Sequence, residues 1–154
     1  MKARTLVKAA FLAVVLGSLA WSGQAEAQFQ ARVFTVPPHN ELHFATGGAT
    51  WCVAVEPIAG NFNVTDINAC TVTLNSAGTG SVSSVAFDCT KGALVGDVDG
   101  NGVQDISFCW PKTVLQPLFS KIHHTQTVTV TVTGNLITGP SFGGSTTITV
   151  FPRN

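Results

Sequence analysis

The chain has 154 residues and balances eight Lys and Arg against eight Asp and Glu, so its formal net charge is zero. Charged residues make up only 10% of it and form no basic patch, which argues against a nucleic-acid partner. Val, Ile, Phe and Thr are abundant whereas Lys, Glu and Met are scarce. This balance predicts a folded all-β protein rather than a helical or disordered one.

The start of the chain has the pattern of a secretory signal peptide. A basic stretch at 1–8 is followed by an apolar run at 9–20 and by the small-residue cleavage pattern A-E-A at 25–27. The run is shorter than the ~20 residues of a membrane-spanning helix, so an uncleaved anchor is the lesser alternative. We therefore predict a signal peptide at 1–27, a single domain at 28–154, a secreted or periplasmic location and no membrane association after cleavage.

Short apolar runs with alternating polarity predict strands along the rest of the chain. In order, these lie at 41–46, 50–56, 69–75, 81–89, 106–110, 126–133 and 145–151. Residues 28–36 are interpreted as a lead-in that ends at two prolines, and the segment near 112–120 as a short helix or 3-10 segment. About seven or eight short strands at this spacing predict an Ig-like β-sandwich.

The four cysteines, Cys52, Cys70, Cys89 and Cys109, are an even number behind a signal peptide, which predicts two disulfides. No C-x-x-C pair is present, which argues against zinc or a redox motif. Cys70 and Cys89 lie equally far from a hairpin turn at 79–80 and on the apolar sides of their strands, whereas Cys52 and Cys109 lie on the opposite sides. This parity favours the pairs Cys70–Cys89 and Cys52–Cys109 but leaves the other two connectivities open.

The strongest chemical signal is the acidic, glycine-containing stretch at 96–106. Its oxygen-bearing groups occupy alternate positions, as in a calcium loop. The predicted ligands are the side chains of Asp97, Asp99, Asn101 and Asp105 and the main-chain carbonyl of Val103. Calcium suits this hard oxygen set better than a soft metal does.

Two observations refine this prediction. Phe108 stands where an EF-hand has its bidentate Glu, and it continues a strand, so the stretch is not a helix-loop-helix hand. The alternative is a polar hairpin turn, because Asp-Gly and Asn-Gly are common turn signals. A turn does not require three carboxylates, however, and such groups repel one another unless a cation neutralises them. We therefore predict that calcium holds the shape of this loop and takes no part in chemistry.

Several segments together are similar to a β-sandwich module that recurs in secreted bacterial and archaeal proteins. The module combines an E-P-x-G opening, a V-x-D-I-x-x-S-T-V-x-L-N stretch, one G-D-x-D-G-N-G-x-x-D loop, a V-T-V-T-G strand and a G-S-x-T-I close. The corresponding segments here are 56–75, 96–105, 127–134 and 145–148.

The resemblance implies an Ig-like accessory or structural unit without known catalytic residues. It also implies calcium ligation by Asp97, Asp99, Asn101 and Asp105. The module usually has Ser where this chain has Cys70, so the disulfides are a departure from its pattern.

The sequence does not assemble a catalytic site. Residues 139–143 match the G-x-S-x-G hydrolase pattern, but no His follows them, as that mechanism would need. Other isolated candidates are His39, His43, His123, His124, Asp66 and Asp88. We therefore predict a non-enzymatic module with a structural or surface role. The alternative is a module that binds another secreted protein or a polysaccharide, which would need Trp51 or Trp110 to point outward, although both fall on apolar strand faces.

Overall fold

The computed structural model describes residues 29–37 and 39–153, so the predicted signal peptide lies outside the described residues. Within them, no helix is long and apolar enough to cross a bilayer. One short helix, α1 (Lys112–Leu115), is present, at the predicted place. The described strands are β1 (Phe29–Val36), β2 (Glu41–His43), β3 (Thr50–Pro57), β4 (Ile67–Asn75), β5 (Ser84–Ala86), β6 (Leu94–Gly96), β7 (Asp105–Pro111), β8 (Gln126–Leu136) and β9 (Ser141–Phe151).

The strands form two sheets that share β1. One sheet has the order β6-β7-β3-β1, and the other has the order β5-β4-β8-β9 with β2 beside β9. The first two residues of β1, Phe29 and Gln30, pair in parallel with β9, and the rest of β1 pairs antiparallel with β3. Four strands facing a second sheet in this order are the arrangement of an immunoglobulin sandwich. The predicted all-β, Ig-like fold is therefore confirmed.

Alternating apolar residues from both sheets make the core. Phe87 packs edge-on against Phe108 at 5.0 Å and against Trp110 at 5.7 Å, measured between ring centroids. The indole of Trp110 donates to the Ala86 carbonyl, and it is only 1% exposed. Trp51 is 6% exposed, so neither of these tryptophans supplies the outward platform that the carbohydrate-binding alternative needs.

The two disulfides join Cys52 to Cys109 and Cys70 to Cys89, the connectivity that strand parity favours. Cys52 and Cys109 are direct partners in the pairing of β3 with β7. The expected position of Cys70 on the apolar side of its strand is wrong, because its side chain is exposed. The cause is a register shift in β4, between Asn68 and Thr73, which breaks the alternation.

Several segments differ from their predicted form. β2 ends at His43, short of the predicted end at 46, and β6 (Leu94–Gly96) lies where no strand is predicted. The expected lead-in at 28–36 is largely a full strand, β1, which pairs with both sheets. The predicted strand at 81–89 is reduced to β5, and Cys89 begins a 3-10 segment. The start of that stretch bonds elsewhere, because the amide of Ser81 donates to the Pro117 carbonyl at 2.9 Å in the turn that follows α1.

The passage of β1 over β9 leaves no room for a side chain at Gly144. A Cβ there would lie 2.1 Å from the Ala31 carbonyl oxygen. Gly144→Ala should lower the free energy of unfolding by about 3 kcal/mol or more, since rigid backbone has to move. Urea denaturation checks this. Gly48→Ala is the control, because its Cβ would lie 3.9 Å from the Thr50 carbonyl oxygen, an ordinary contact; equal losses in the two variants would contradict the steric account.

The two disulfides should contribute unequally to stability. Cys52 and Cys109 are 57 residues apart, and Cys70 and Cys89 are 19 apart. The chain-entropy model gives ~4 kcal/mol for the longer loop and ~3 kcal/mol for the shorter one. Urea unfolding of the double variants C52A/C109A and C70A/C89A compares them, and a larger loss in the second variant would contradict this order.

Candidate metal centre

The loop at 97–104 connects β6 to β7 and carries most of the predicted ligands. Gly100 and Gly102 have φ values of 73° and 86°, a left-handed backbone that glycine adopts without strain. The chain therefore turns sharply twice within a few residues. These turns bring the acidic side chains of the loop back toward the sheet.

The side chain of Asp97 fastens the loop from within. Its Oδ1 accepts from the Asn101 amide at 3.0 Å, and its Oδ2 accepts from the Gly102 amide at 2.9 Å. The Oδ1 atom of Asn101 accepts from the Val103 amide at 2.7 Å. Two predicted ligands, Asp97 and Asn101, thus have the local role of holding the turn in its shape.

A row of charged residues crosses the outer side of the sheet beneath this loop. Arg32 on β1 pairs directly with Glu56 on β3. The pairing of Val55 with Ile106 places Asp105, at the start of β7, one step further along that row, next to Glu56. Cross-strand neighbours on one face lie about 5 Å apart at Cβ, so their side chains interact.

Three carboxylates converge where the loop meets this row. Glu56, Asp99 and Asp105 each offer an oxygen, and these oxygens lie within 4.8 Å of one another. Asp105 is 0% exposed and Glu56 is 8% exposed. The Oδ2 atom of Asp105 accepts from the Val98 amide at 2.8 Å, whereas its Oδ1 has no hydrogen-bond partner among the described residues. A buried carboxylate oxygen without a partner is costly, because the group loses its hydration without gaining a hydrogen bond.

The electrostatics of the cluster disfavour three free anions. Burial raises the pKa of the Asp105 carboxyl; the hydrogen bond from the Val98 amide opposes this, and the neighbouring charges of Asp99 and Glu56 add to the rise. Like charges and desolvation both penalise the ionised form of a carboxyl group. A cation in contact with the three groups would remove both penalties.

Arg32 supplies one positive charge to this cluster. Its Nη1 lies 2.6 Å from Asp99 Oδ2 and 3.0 Å from Glu56 Oε2. The Nδ2 of Asn101 donates to the same Glu56 oxygen at 2.6 Å. The Oδ1 of the same amide is held by the Val103 N–H, so the Asn101 side chain is fixed with its NH2 group toward Glu56.

The structure brings together some of the predicted ligands. Asp99 and Asp105 lie in the cluster, and Asn101 contacts it through Glu56 and Asp99. Asp97 is outside the group of three, and Val103 contacts Asn101 through its amide. Glu56 is the member of the acidic cluster that the sequence reasoning missed. It lies on a strand remote from the loop, and only the pairing of β3 with β7 reveals it.

The other polar candidates have local contacts of their own. Ser141 begins β9 after a tight turn, so the G-x-S-x-G stretch lies in a β-hairpin and not between a strand and a helix. Asp88 caps its own turn by accepting from the hydroxyl and amide of Thr90, which lower the pKa of its carboxyl. His43 stacks on Phe151 at 4.1 Å.

Fold and cluster together define an Ig-like β-sandwich with two disulfides and an acidic cluster on the outer side of one sheet. No protein-family model matches the chain, and no curated protein matches it. Among solved structures it is similar to AggA, the major subunit of aggregative adherence fimbriae type I from Escherichia coli. The identity is 13% and the TM-score 0.29, over 84% of this chain and 98% of that one. At that TM-score the similarity carries no argument, and the fold assignment rests on the strand pairing.

Replacing the buried carboxyl should stabilise the protein when calcium is absent. In Asp105→Asn the side-chain oxygen of Asn still accepts the hydrogen bond from the Val98 main-chain N–H, and its NH2 group can donate to Glu56. At pH 7 the free energy of unfolding should therefore rise by about 1 kcal/mol. The pKa of Asp105 is higher in the folded protein than in the unfolded chain, where it is about 4. The wild type therefore loses stability as the pH rises from about 4 through the folded pKa, and the variant, which has no carboxyl group at 105, does not.

Urea unfolding in EDTA between pH 4 and pH 8 measures both effects. Asp66→Asn is the matched control, because Asp66 is exposed and outside the cluster. A loss of stability at pH 7 in Asp105→Asn, or an unchanged pH profile, would show that the buried carboxylate is not under electrostatic stress.

Proposed function

We propose that this protein is a secreted or periplasmic, non-enzymatic Ig-like module in which a structural calcium ion fastens the 97–104 loop to the sheet. The main supporting observation is the buried carboxylate of Asp105, which has one oxygen, Oδ1, without a hydrogen-bond partner among the described residues and which lies with Glu56 and Asp99 in one acidic cluster. Calcium takes six to eight oxygen ligands from carboxylates, amides, carbonyls and water, so this donor set suits it.

The ligands come from the loop and from the strand beneath it. Asp99 belongs to the loop, Asp105 begins β7, and Glu56 lies on β3. Asp97 and Asn101 would join them only by giving up hydrogen bonds that their side-chain oxygens accept from main-chain amides. The carbonyl of Val103 completes the set. Because Glu56 belongs to a different strand, the ion would link two segments and not merely fold one loop.

The charge balance supports a divalent ion. Glu56, Asp97, Asp99 and Asp105 provide four negative charges, and Arg32 neutralises one of them, which leaves an excess of three. A divalent cation would reduce the excess to one with Arg32 in place, or to two in place of Arg32. Cations of this kind are often the largest local charge in a site and reverse the repulsion among its carboxylates.

The proposed location and role rest on the disulfides and on the sequence pattern. Two disulfides suit an oxidising compartment outside the cytoplasm. The resemblance to accessory modules of secreted bacterial and archaeal proteins favours a structural or surface role. Calcium in this role holds shape, and the loop then presents a fixed surface to other molecules.

Calcium titration tests the proposal directly. Calorimetry on EDTA-treated protein should show binding with a Kd of roughly 10⁻⁴–10⁻³ M, as in other extracellular modules. The melting temperature should rise, since saturation to a hundred times Kd stabilises by ~2.7 kcal/mol. Asp99→Ala should lose both effects and Asp66→Ala neither. No heat and no shift in the wild type would refute the site.

Glu56 gives a sharper test, because a calcium site made by the loop alone would not need it. Glu56→Gln should raise the calcium Kd by about tenfold or more, while the folded state in EDTA is kept. Glu41→Gln, on an exposed carboxylate of β2, is the control. If Glu56→Gln binds calcium as the wild type does, the ion does not reach β3.

A second candidate function, binding of a neutral polysaccharide, is favoured by one observation. The outer side of β8 and β9 is a ladder of hydroxyl groups without charge, in which Thr127, Thr129 and Thr131 face Thr149, Thr147 and Ser145. Beside it lies a groove of about 810 Å³, lined by residues that include Asn75 and Gln126. Retention on insoluble polysaccharides, lost in a Thr129→Lys/Thr131→Lys variant, would support this candidate.

A further inference from the structure

Arg32 holds a central place in the acidic cluster although it belongs to neither the loop nor β7. A single nitrogen, Nη1, bridges Asp99 Oδ2 at 2.6 Å and Glu56 Oε2 at 3.0 Å. These two carboxylates come from different segments, the loop and β3. Arg32 therefore does in the calcium-free protein what the proposed ion would do, since it joins the loop to the sheet by a positive charge.

The hydrogen bonds of these two oxygens leave little room for an ion. Glu56 Oε2 accepts from Arg32 Nη1 and also from Asn101 Nδ2, at 2.6 Å. Asp99 Oδ2 accepts from the same two nitrogens, with Asn101 Nδ2 at 3.3 Å. A carboxylate oxygen has about two lone-pair sites, so both oxygens are fully engaged by N–H donors. A metal that used either oxygen would have to replace one of those donors.

Arg32 is the donor that can leave at low cost. Its side chain is 46% exposed, and its guanidinium lies 4.5 Å above the ring of Phe34, which can keep it after it leaves the carboxylates. Ion pairs at such exposure contribute about 0–1 kcal/mol each. A guanidinium also cannot lie against a divalent cation without strong repulsion.

We propose that Arg32 is a resident counter-ion that calcium displaces, so that the calcium affinity of the cluster is set by the release of Arg32. This inference rests on the proposed calcium site and adds a competitor to it. In the calcium-free protein Arg32 keeps the loop docked on Glu56. In the calcium-bound protein the ion takes over that contact, and Arg32 swings out toward solvent over Phe34.

The competing arrangement makes the opposite prediction. If Arg32 kept its contact beside the bound ion, it would offset excess negative charge, and removing it would weaken or leave unchanged the binding of calcium. If calcium displaces Arg32, removing the guanidinium vacates one acceptor position on each of the two oxygens in advance, and calcium binds more tightly. The sign of the change in Kd therefore decides between the two arrangements.

The experiment compares Arg32→Met with the wild type by calorimetric titration of calcium chloride into EDTA-treated protein. Methionine keeps an unbranched apolar side chain against Phe34 but removes the charge. We expect a Kd about tenfold lower than that of the wild type, and a lower melting temperature in EDTA. Arg32→Lys, which keeps a charge but loses the planar fork, should fall between them. Arg153→Met, beyond the end of β9, is the charge-matched control.

A second measurement follows Arg32 itself. In the wild type, the ¹⁵N guanidinium signals of Arg32 should show protection from solvent exchange in EDTA and lose it on saturation with calcium. Unchanged protection, or an equal or higher Kd in Arg32→Met, would overturn the displacement while leaving the calcium site intact.

The remaining outcomes separate this inference from the proposed function. Binding in Arg32→Met but not in the wild type would refute calcium as a resident of the natural protein and support Arg32 as the group that excludes it. Absence of binding in both proteins, each with a cooperative melting transition in EDTA, would overturn the calcium site and the displacement together.

Discussion

The position of the loop at 97–104 on the sheet depends on the buried carboxyl group of Asp105. Asp105 stands at the start of a core strand, is fully buried and has Glu56 as its neighbour across the sheet. Two carboxylates in such a place repel each other and lose hydration, so the fold has to bring positive charge or hydrogen-bond donors to them. Asp105 accepts a hydrogen bond from the Val98 main-chain N–H. Glu56 accepts one from the side-chain NH2 of Asn101 and forms an ion pair with Arg32. The loop at 97–104 covers the pair because those donors hold it there.

Much of the fold could be predicted from local pattern. Alternation along β3, β7 and β8 gives both the strands and their apolar sides, and two buried tryptophans fall on the expected faces. Cys70 and Cys89 are equally far along the chain from a turn at 79–80, which predicts that they pair. The register of β4 with β5 is symmetric about that turn, and the two cysteines form a disulfide. These features depend on neighbours close along the chain or on strand parity, which a single sequence records.

What could not be predicted depends on pairing between distant segments. The pattern of residues 29–36 does not distinguish a lead-in segment from a strand. Only the pairing with β3 and β9 shows that these residues form a strand that joins the two sheets. The same limit applies to the acidic cluster. The acidic residues of the loop are visible in the sequence as a motif, whereas the positions of Glu56 and Arg32 beside them depend on the register of β1, β3 and β7. The strand register cannot be read from the sequence alone, so the sequence does not show that the Glu56 carboxylate and the Arg32 guanidinium lie beside the loop.

The pairing of β9 with early strands has a mechanical consequence. β2 lies parallel to β9, as do the first residues of β1, so segments from near the two ends of the described chain run side by side in the same direction. Tension that pulls those ends apart would slide these strands past each other and load their hydrogen bonds in shear, all at once. Resistance to such a force depends on the unfolding rate and not on equilibrium stability. The pairing of β9 with β1 and β2 therefore favours resistance to a force applied at these two ends.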